Sequence, residues 1–255
     1  MLSNADIKLI NSLEQKKYRK IHNLFIIEGK RLVRDAIIYN SKIKQLFLTD
    51  SFINEHENSD LIKIISERNI TSETIPDSKM KSISETVSPS GVFALCEIPS
   101  QKKFVQDKNE NYLFLDDIRD PGNMGTLLRS SNWFGIKNIV LSKNCIDPFN
   151  PKVIRSAMGA HFNLNIYNRQ SLNDFVNHTK LGAFQEGEDI YQLYGKSLEP
   201  WVLVIGSEAH GISTENSKII TKKITIPKIG NGESLNAAMA GSILLYHLTA
   251  PLLSD

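Results

Sequence analysis

The C-terminal half of the chain alternates short apolar runs with stretches of helical character, and this alternation restricts the fold more than any other feature. Residues 112–115, 138–141, 164–167, 181–184, 201–205 and 223–226 read as strands. Residues 123–134, 151–158 and 234 to 248 read as helices, the last ending before Pro251. Runs that are apolar throughout, rather than alternating, belong to strands buried on both faces, so the pattern predicts a mostly parallel sheet with helices on both sides. The first hundred residues carry a smaller set. Strands are expected at 24–27, 46–48, 70–75 and 91–98, and helices at 29–39 and 60–68. Between the two sets, Pro99-Ser100-Gln101-Lys102-Lys103 opens a polar, weakly patterned stretch. The expected division is therefore an N-terminal domain over 1–99, a linker over 100–110 and a C-terminal domain over 111–255.

Composition excludes several classes. A content of 41% hydrophobic and 23% charged residues is that of a globular protein. No apolar stretch approaches the roughly eighteen residues of a membrane helix, and the start Met1-Leu2-Ser3-Asn4-Ala5-Asp6 lacks a secretory pattern. Cys96 and Cys145 lie too far apart for a CxxC metal site and read as small core residues, with a reducing, cytoplasmic setting as the default. None of the histidines shows metal-ligand spacing. The net charge of +2 does not by itself imply nucleic acid. Its distribution is more telling: Lys16-Lys17-Tyr18-Arg19-Lys20 is a basic run around an aromatic, followed by Lys30, Arg31 and Arg34. Such a cluster suits phosphate contacts, and it equally suits a solvated helix face.

Three segments place glycine, asparagine, serine or charge at the exit of a strand, where ligands gather in open parallel sheets. The first is Asp120-Pro121-Gly122-Asn123-Met124-Gly125-Thr126-Leu127-Leu128-Arg129. Either Asp120, with Pro121 at the first position, or Asn123 can cap its helix. Arg129 stands one turn above Gly125, which leaves space beside a fixed positive charge. The second, Ile205-Gly206-Ser207-Glu208-Ala209-His210-Gly211, puts a backbone open to close approach next to a carboxylate. It lacks the GxSxG order of a hydrolase elbow. The third is Ile226-Pro227-Lys228-Ile229-Gly230-Asn231-Gly232-Glu233-Ser234-Leu235-Asn236-Ala237-Ala238. Leu235 occupies the third-glycine position of a dinucleotide fingerprint, so that motif fails. Ser234 is the expected cap of the last helix, whose Ala237, Ala238, Ala240 and Gly241 make it thin on one side. Taken singly, each segment is also an ordinary capped helix or polar turn.

In this order and spacing the segments resemble the three signature motifs of the SpoU (TrmH-type) family of RNA ribose 2′-O-methyltransferases, within the SPOUT class. The resemblance runs from about Tyr112 to His247 and includes Asn150-Pro151-Lys152-Val153-Ile154-Arg155-Ser156-Ala157-Met158-Gly159-Ala160. More weakly, Asn23-Leu24-Phe25-Ile26-Ile27-Glu28-Gly29 and Gly91-Val92-Phe93-Ala94 are similar to the two ends of the family's small N-terminal substrate-binding domain, which looks like an RNA-binding ribosomal protein. The resemblance implies an S-adenosylmethionine-dependent enzyme with a deep C-terminal trefoil knot, working as a homodimer without a metal. It implies Gly206, Ile226 and Leu235 at the methyl donor. It implies Asn123, Arg129, Glu208, Ser234 and Asn236 at the reaction site. Lys16, Lys17, Arg19, Lys20 and Arg31 become candidates for RNA contact. Met124, and Ala237-Ala238 where Val-Ser is common, are mild departures that leave the subgroup open.

Ribosomal RNA is the favoured substrate and transfer RNA the alternative. A non-catalytic RNA-binding factor on the same fold, a knotted base methyltransferase and a nucleotide-dependent oxidoreductase are the competing classes. The complete motif set weighs against the first of these, and the failed glycine fingerprint against the last.

Overall fold

The structure, a computed structural model, describes residues 2–100, 103–193 and 200–250. Gln101 and Lys102 of the expected linker, and Pro251, lie outside the described residues. The chain forms two compact units. The first takes the chain up to Ser100 together with Asp147–Phe162, and the second takes the remainder.

The first unit runs through α1 (Asn4–Ser12), α2 (Lys16–His22), β1 (Leu24–Glu28), α3 (Lys30–Ile38), β2 (Ile43–Leu48), α4 (Asp50–Asn54), α5 (Ser59–Glu67), β3 (Ser72–Thr74), α6 (Asp77–Ile83) and β4 (Val92–Glu97). Its sheet has the order β1-β4-β2-β3, with β4 antiparallel to both neighbours and β3 parallel to β2. Alternate strand residues feed two cores, as the period of two requires. Phe25, Ile27, Leu46 and Leu48 pack with Leu32, Val33 and Ala36 of α3 and Leu61 of α5. Leu24, Ile26, Phe47 and Phe93 pack with Ile10 of α1 and Met80 of α6. Cys96 is buried in this sheet, and burial pushes its thiol up to about 12.

The segment Asp147–Phe162 completes the unit. Its helix α8 (Pro151–Ala157) starts at an Asn150 cap and puts Ile154 into the first core. Phe149 and Phe162 pack against Phe25, with ring centroids 5.0 and 6.5 Å away. His161 is buried beside Phe149. Its Nε2 donates to the Pro148 carbonyl at 2.7 Å, while Nδ1 is buried without a partner among the described residues. Burial pushes this imidazole down to about 4 from its usual 6.5. Above pH 6.5 the ring is neutral in folded and unfolded chains alike. Between 6.5 and about 4 only the unfolded chain takes up the proton, so stability is lost as the pH drops, by on the order of 1 kcal/mol per unit. Urea midpoints measured across that window should show the slope, and the His161→Gln variant should lack it.

The second unit contains β5 (Tyr112–Asp116), α7 (Pro121–Trp133), β6 (Asn138–Leu141), β7 (Asn165–Asn168), β8 (Thr179–Asp189), β9 (Trp201–Gly206), α9 (Thr214–Ser217), β10 (Lys222–Thr225) and α10 (Ala237–Thr249). The strands form one sheet of order β10-β8-β9-β5-β6-β7, parallel at every pairing. The expected parallel sheet is thus present, while its covering differs from the expectation. On one side α7 and α10 pack together over β9: a Cβ on Gly241 would meet Leu127 at 2.4 Å and Ile205 at 3.4 Å. The thin side of α10 is therefore filled by α7. On the other side Tyr112, Phe114, Val140, Val202 and Val204 pack against Phe104, Leu172, Phe175, Ile212 and Ile220. That layer is built from a 3-10 turn at Leu172–Asp174, the single turn of α9 and extended chain. The short connection leaving β7 holds only that 3-10 turn, and the connection leaving β9 uses its first residues in the Ser207–Gly211 loop ahead of α9.

Candidate active site

All three motif segments leave the carboxyl ends of strands in this sheet: β5 and β9 are neighbours, and β10 lies beyond β9 across β8. Of the two possible caps for α7 the structure selects Asp120, whose Oδ1 accepts the Asn123 amide at 2.8 Å with Pro121 at the first helical position. Asn123 is thereby turned inward and buried, whereas Arg129, farther along α7, is exposed. Arg129 has no hydrogen-bond or ion-pair partner among the described residues, so its guanidinium keeps all of its donors for a ligand.

The second segment folds into a tight loop. Ser207 and Gly211 exchange both backbone hydrogen bonds, at 3.0 and 2.8 Å, with Gly211 at a φ of +64°. A Cβ on Gly206 would lie 2.1 Å from the backbone of Gly211 and Ile212. On the side a Cβ would occupy, the protein's own chain closes on Gly206. No side chain fits there, because both obstructing atoms are backbone. The loop holds Glu208 exposed at its tip.

The third segment corrects the expected cap. Asn236, not Ser234, starts α10: its Oδ1 accepts the amides of Ala238 and Met239 at 2.9 and 3.1 Å. The asparagine side chain satisfies two orphan donors of the first turn at once, so the helix begins at Ala237. Ser234 and Leu235 consequently lie ahead of the helix, both exposed, and Ile226 is half-buried at the end of β10.

Fixing the Asn236 oxygen on the helix aims its Nδ2 outward, and there the three segments meet. Asn236 Nδ2 donates to Glu208 Oε1 at 2.5 Å and to Asn123 Oδ1 at 2.9 Å. Asn123 Nδ2 donates to the same Glu208 oxygen at 2.6 Å. This closed triangle of two amides and a carboxylate joins residues up to 113 positions apart in sequence. Bonds to a charged acceptor are the stronger kind, so the triangle fixes three loop ends against one another. Ser234, Arg129, Ile226 and Leu235 are on the same segments but outside the triangle. The backbone between Lys228 and Leu235 is almost free of internal bonds among the described residues, apart from the Glu233 carbonyl, which accepts from Gln185 at 3.4 Å. An exposed run of unpaired amides and carbonyls is the donor and acceptor set that a nucleoside edge needs, so these residues fit an adenosyl ligand.

In the first unit Lys16, Lys17, Lys20 and Arg31 are exposed, as phosphate contact requires. Arg19 departs from the expectation. It is 1% exposed, its guanidinium donating to the carbonyls of Leu13 and Glu14 at 2.6 and 2.7 Å and pairing with Asp147 at 2.6 Å. Enclosed and held by four side-chain hydrogen bonds, it holds the fold and cannot reach RNA. Asp147 carries no local sequence signal for this role. Only its place beside Arg19 in three dimensions reveals it. Among the described residues no group of three His, Cys, Asp or Glu side chains is placed to hold a metal, and no helix is long and apolar enough to cross a membrane.

Comparison with known proteins places this arrangement. The profile of the SpoU rRNA methylase family matches residues 110–246, and that of the MRM3-like substrate binding domain matches residues 4–94. The 23S rRNA (guanosine(2553)-2′-O)-methyltransferase RlmP of Bacillus subtilis is 31% identical over 252 residues, 96% of each chain. Human mitochondrial rRNA methyltransferase 3 is 26% identical, over 92% of this chain and 69% of its own. Among solved structures, an RNA methyltransferase of the TrmH family from Porphyromonas gingivalis superimposes with a TM-score of 0.82 at 30% identity, covering 98% of this chain and 99% of its own. An AdoMet-bound rRNA methyltransferase from Sinorhizobium meliloti gives 0.82 at 28% identity, covering 100% and 97%. The chain belongs to the SpoU rRNA methylase family.

Proposed function

We propose that the protein transfers a methyl group from S-adenosylmethionine to a ribose 2′-hydroxyl of ribosomal RNA. The observation that carries this reading is the Asn123–Glu208–Asn236 triangle, which joins the three motif segments, with Arg129 exposed on the same helix as Asn123. The relative from Bacillus subtilis is named for 2′-O-methylation of ribosomal RNA, and the Sinorhizobium meliloti neighbour was solved with the donor bound. Both favour ribosomal over transfer RNA.

Gly206, Ile226 and Leu235, with the open backbone between them, would hold the donor, which supplies an electrophilic methyl when bound. A ribose hydroxyl is a poor nucleophile until it loses its proton. Arg129 binds the phosphate next to the target ribose, and its charge favours the developing alkoxide. The guanidinium stays protonated, so the proton leaves through phosphate or water. Asn123, Glu208 and Asn236 hold the pocket together, with Ser234 at its rim. Orientation of this kind supplies roughly 7–11 kcal/mol of barrier reduction.

Residues 1–99, completed by Asp147–Phe162, serve as the substrate-binding domain, 100–110 as the linker and the rest of 111–255 as the catalytic domain. Lys16, Lys17, Lys20 and Arg31 contact RNA. The close chain approach at Gly206 and the thin inner side of α10 are compatible with a C-terminal knot. Trp133 on α7 and Met239 and Tyr246 on α10 are 83%, 57% and 50% exposed. They favour a homodimer built on these two helices. The cytoplasm, where ribosomal RNA and the donor meet, is the site of action. Mapping 2′-O-methyl groups in ribosomal RNA from cells lacking the gene tests the substrate: one position should vanish, and an unchanged map would remove ribosomal RNA from the reading.

A further inference from the structure

Helix α2 carries an outward arc that holds the three lysines assigned to RNA contact together with side chains that assignment does not use. At about 100° per residue, its side chains sort into three strips. Lys16 and Lys20 share one flank, Lys17 and Ile21 the middle, and Tyr18 and His22 the other flank. Only Arg19 turns inward, where it is buried. The three lysines are exposed, and Ile21 is 61% exposed. The Tyr18 and His22 rings are stacked, with centroids 6.4 Å apart and planes 18° from parallel. The Lys17 ammonium lies 5.6 Å from the Tyr18 ring centre. A seven-residue helix is too short to hold its shape alone. Arg19 supplies the missing constraint by tying α2 to the carbonyls of Leu13 and Glu14 and to Asp147. The arc is therefore held rigid before anything binds.

A cationic flank, a middle strip of Lys17 and Ile21 and a ring pair match the parts of one ligand class. Duplex RNA presents phosphate and sugar but keeps its bases stacked inside, so it would use the lysines and leave the rings uncovered. An unpaired strand offers both phosphates and open base faces. We propose that α2 is a docking face for unpaired RNA, with phosphates along Lys16, Lys17 and Lys20 and a splayed base stacked on the Tyr18–His22 pair. Arg19 is a positioning residue for this face. The proposal rests on the reading of the protein as an RNA methyltransferase and narrows its substrate to an unpaired or opened segment.

The test uses the full chain and a fluorescein-labelled RNA of about twelve nucleotides, offered single-stranded or annealed to its complement. Anisotropy titrations should show tighter binding of the single strand. The Tyr18→Ala/His22→Ala variant should lose about tenfold or more in single-strand affinity and little in duplex affinity. The Lys16→Ala/Lys17→Ala/Lys20→Ala variant should reduce the salt dependence of single-strand binding by about two units of slope. Thermal unfolding checks that these exposed substitutions leave the fold intact. Equal binding of the single strand by the ring variant and the parent would overturn the proposal. So would a preference of the parent for duplex, or no binding of either RNA, which would hand the face to a protein partner. S-adenosylmethionine binding, measured in the same preparations, keeps the two readings apart: its absence removes the methyltransferase assignment whatever α2 does.

Discussion

Arg129→Ala is expected to lower methyl transfer at least about a hundredfold, on the order of 3 kcal/mol, while donor binding is retained. The expectation follows from where Arg129 sits. It is exposed on α7, has no partner among the described residues, and takes no part in the triangle that joins the three segments. Removing it breaks no observed contact of the fold, so the loss belongs to the handling of RNA and of the developing alkoxide. Arg129→Lys keeps the charge but loses the planar fork, and should recover part of the activity. Calorimetric titration with S-adenosylmethionine beside single-turnover methylation separates the two effects. Near-normal turnover by the alanine variant would remove Arg129 from the chemistry. Lost donor binding would make it part of the donor pocket instead.

Arg19→Ala should cost stability, by about 3–5 kcal/mol, the range for breaking one partner of a buried ion pair. Arg19 and Asp147 have side chains only 2% and 14% exposed. Truncating the arginine strands the carboxylate and leaves the Leu13 and Glu14 carbonyls short of a donor. Asp147→Asn should cost less, because the two carbonyl contacts survive. Urea unfolding midpoints measure both. An Arg19→Ala protein as stable as the parent would contradict the structural role of this ion pair. This residue shows how two readings of one basic run separate: neighbours of identical charge split between solvent and core according to the helix phase.

Much of the fold was legible because the strands of the second unit are apolar on both faces, and residues 112–115, 138–141 and 201–205 lie within or coincide with observed strands. β8 was legible only in part. Its eleven residues include Gln185-Glu186-Gly187-Glu188, polar enough to hide a strand that pairs with β10 through a shift in register. α1 was not read at all, although Ser3 and Asp6 form a capping box at its start. Short helices with few apolar residues give little periodicity to detect. The candidate site was legible as three segments but not as a triangle. Side-chain bonds between Asn123, Glu208 and Asn236 span different loops, and no local pattern encodes them. The cap of α10 was misplaced because Ser234 and Asn236 are both good capping residues, and only geometry decides between them. Asp147 was invisible for the same reason as the triangle, since its partner is 128 residues away.

The central claim is methyl transfer to a ribose, and one measurement reaches it directly. Purified protein is incubated with methyl-labelled S-adenosylmethionine and ribosomal RNA lacking the modification, and the RNA is then digested to nucleosides. The label should appear in a single 2′-O-methylated nucleoside. Label in a base-methylated nucleoside, or none in RNA from a protein that binds the donor, would contradict the account.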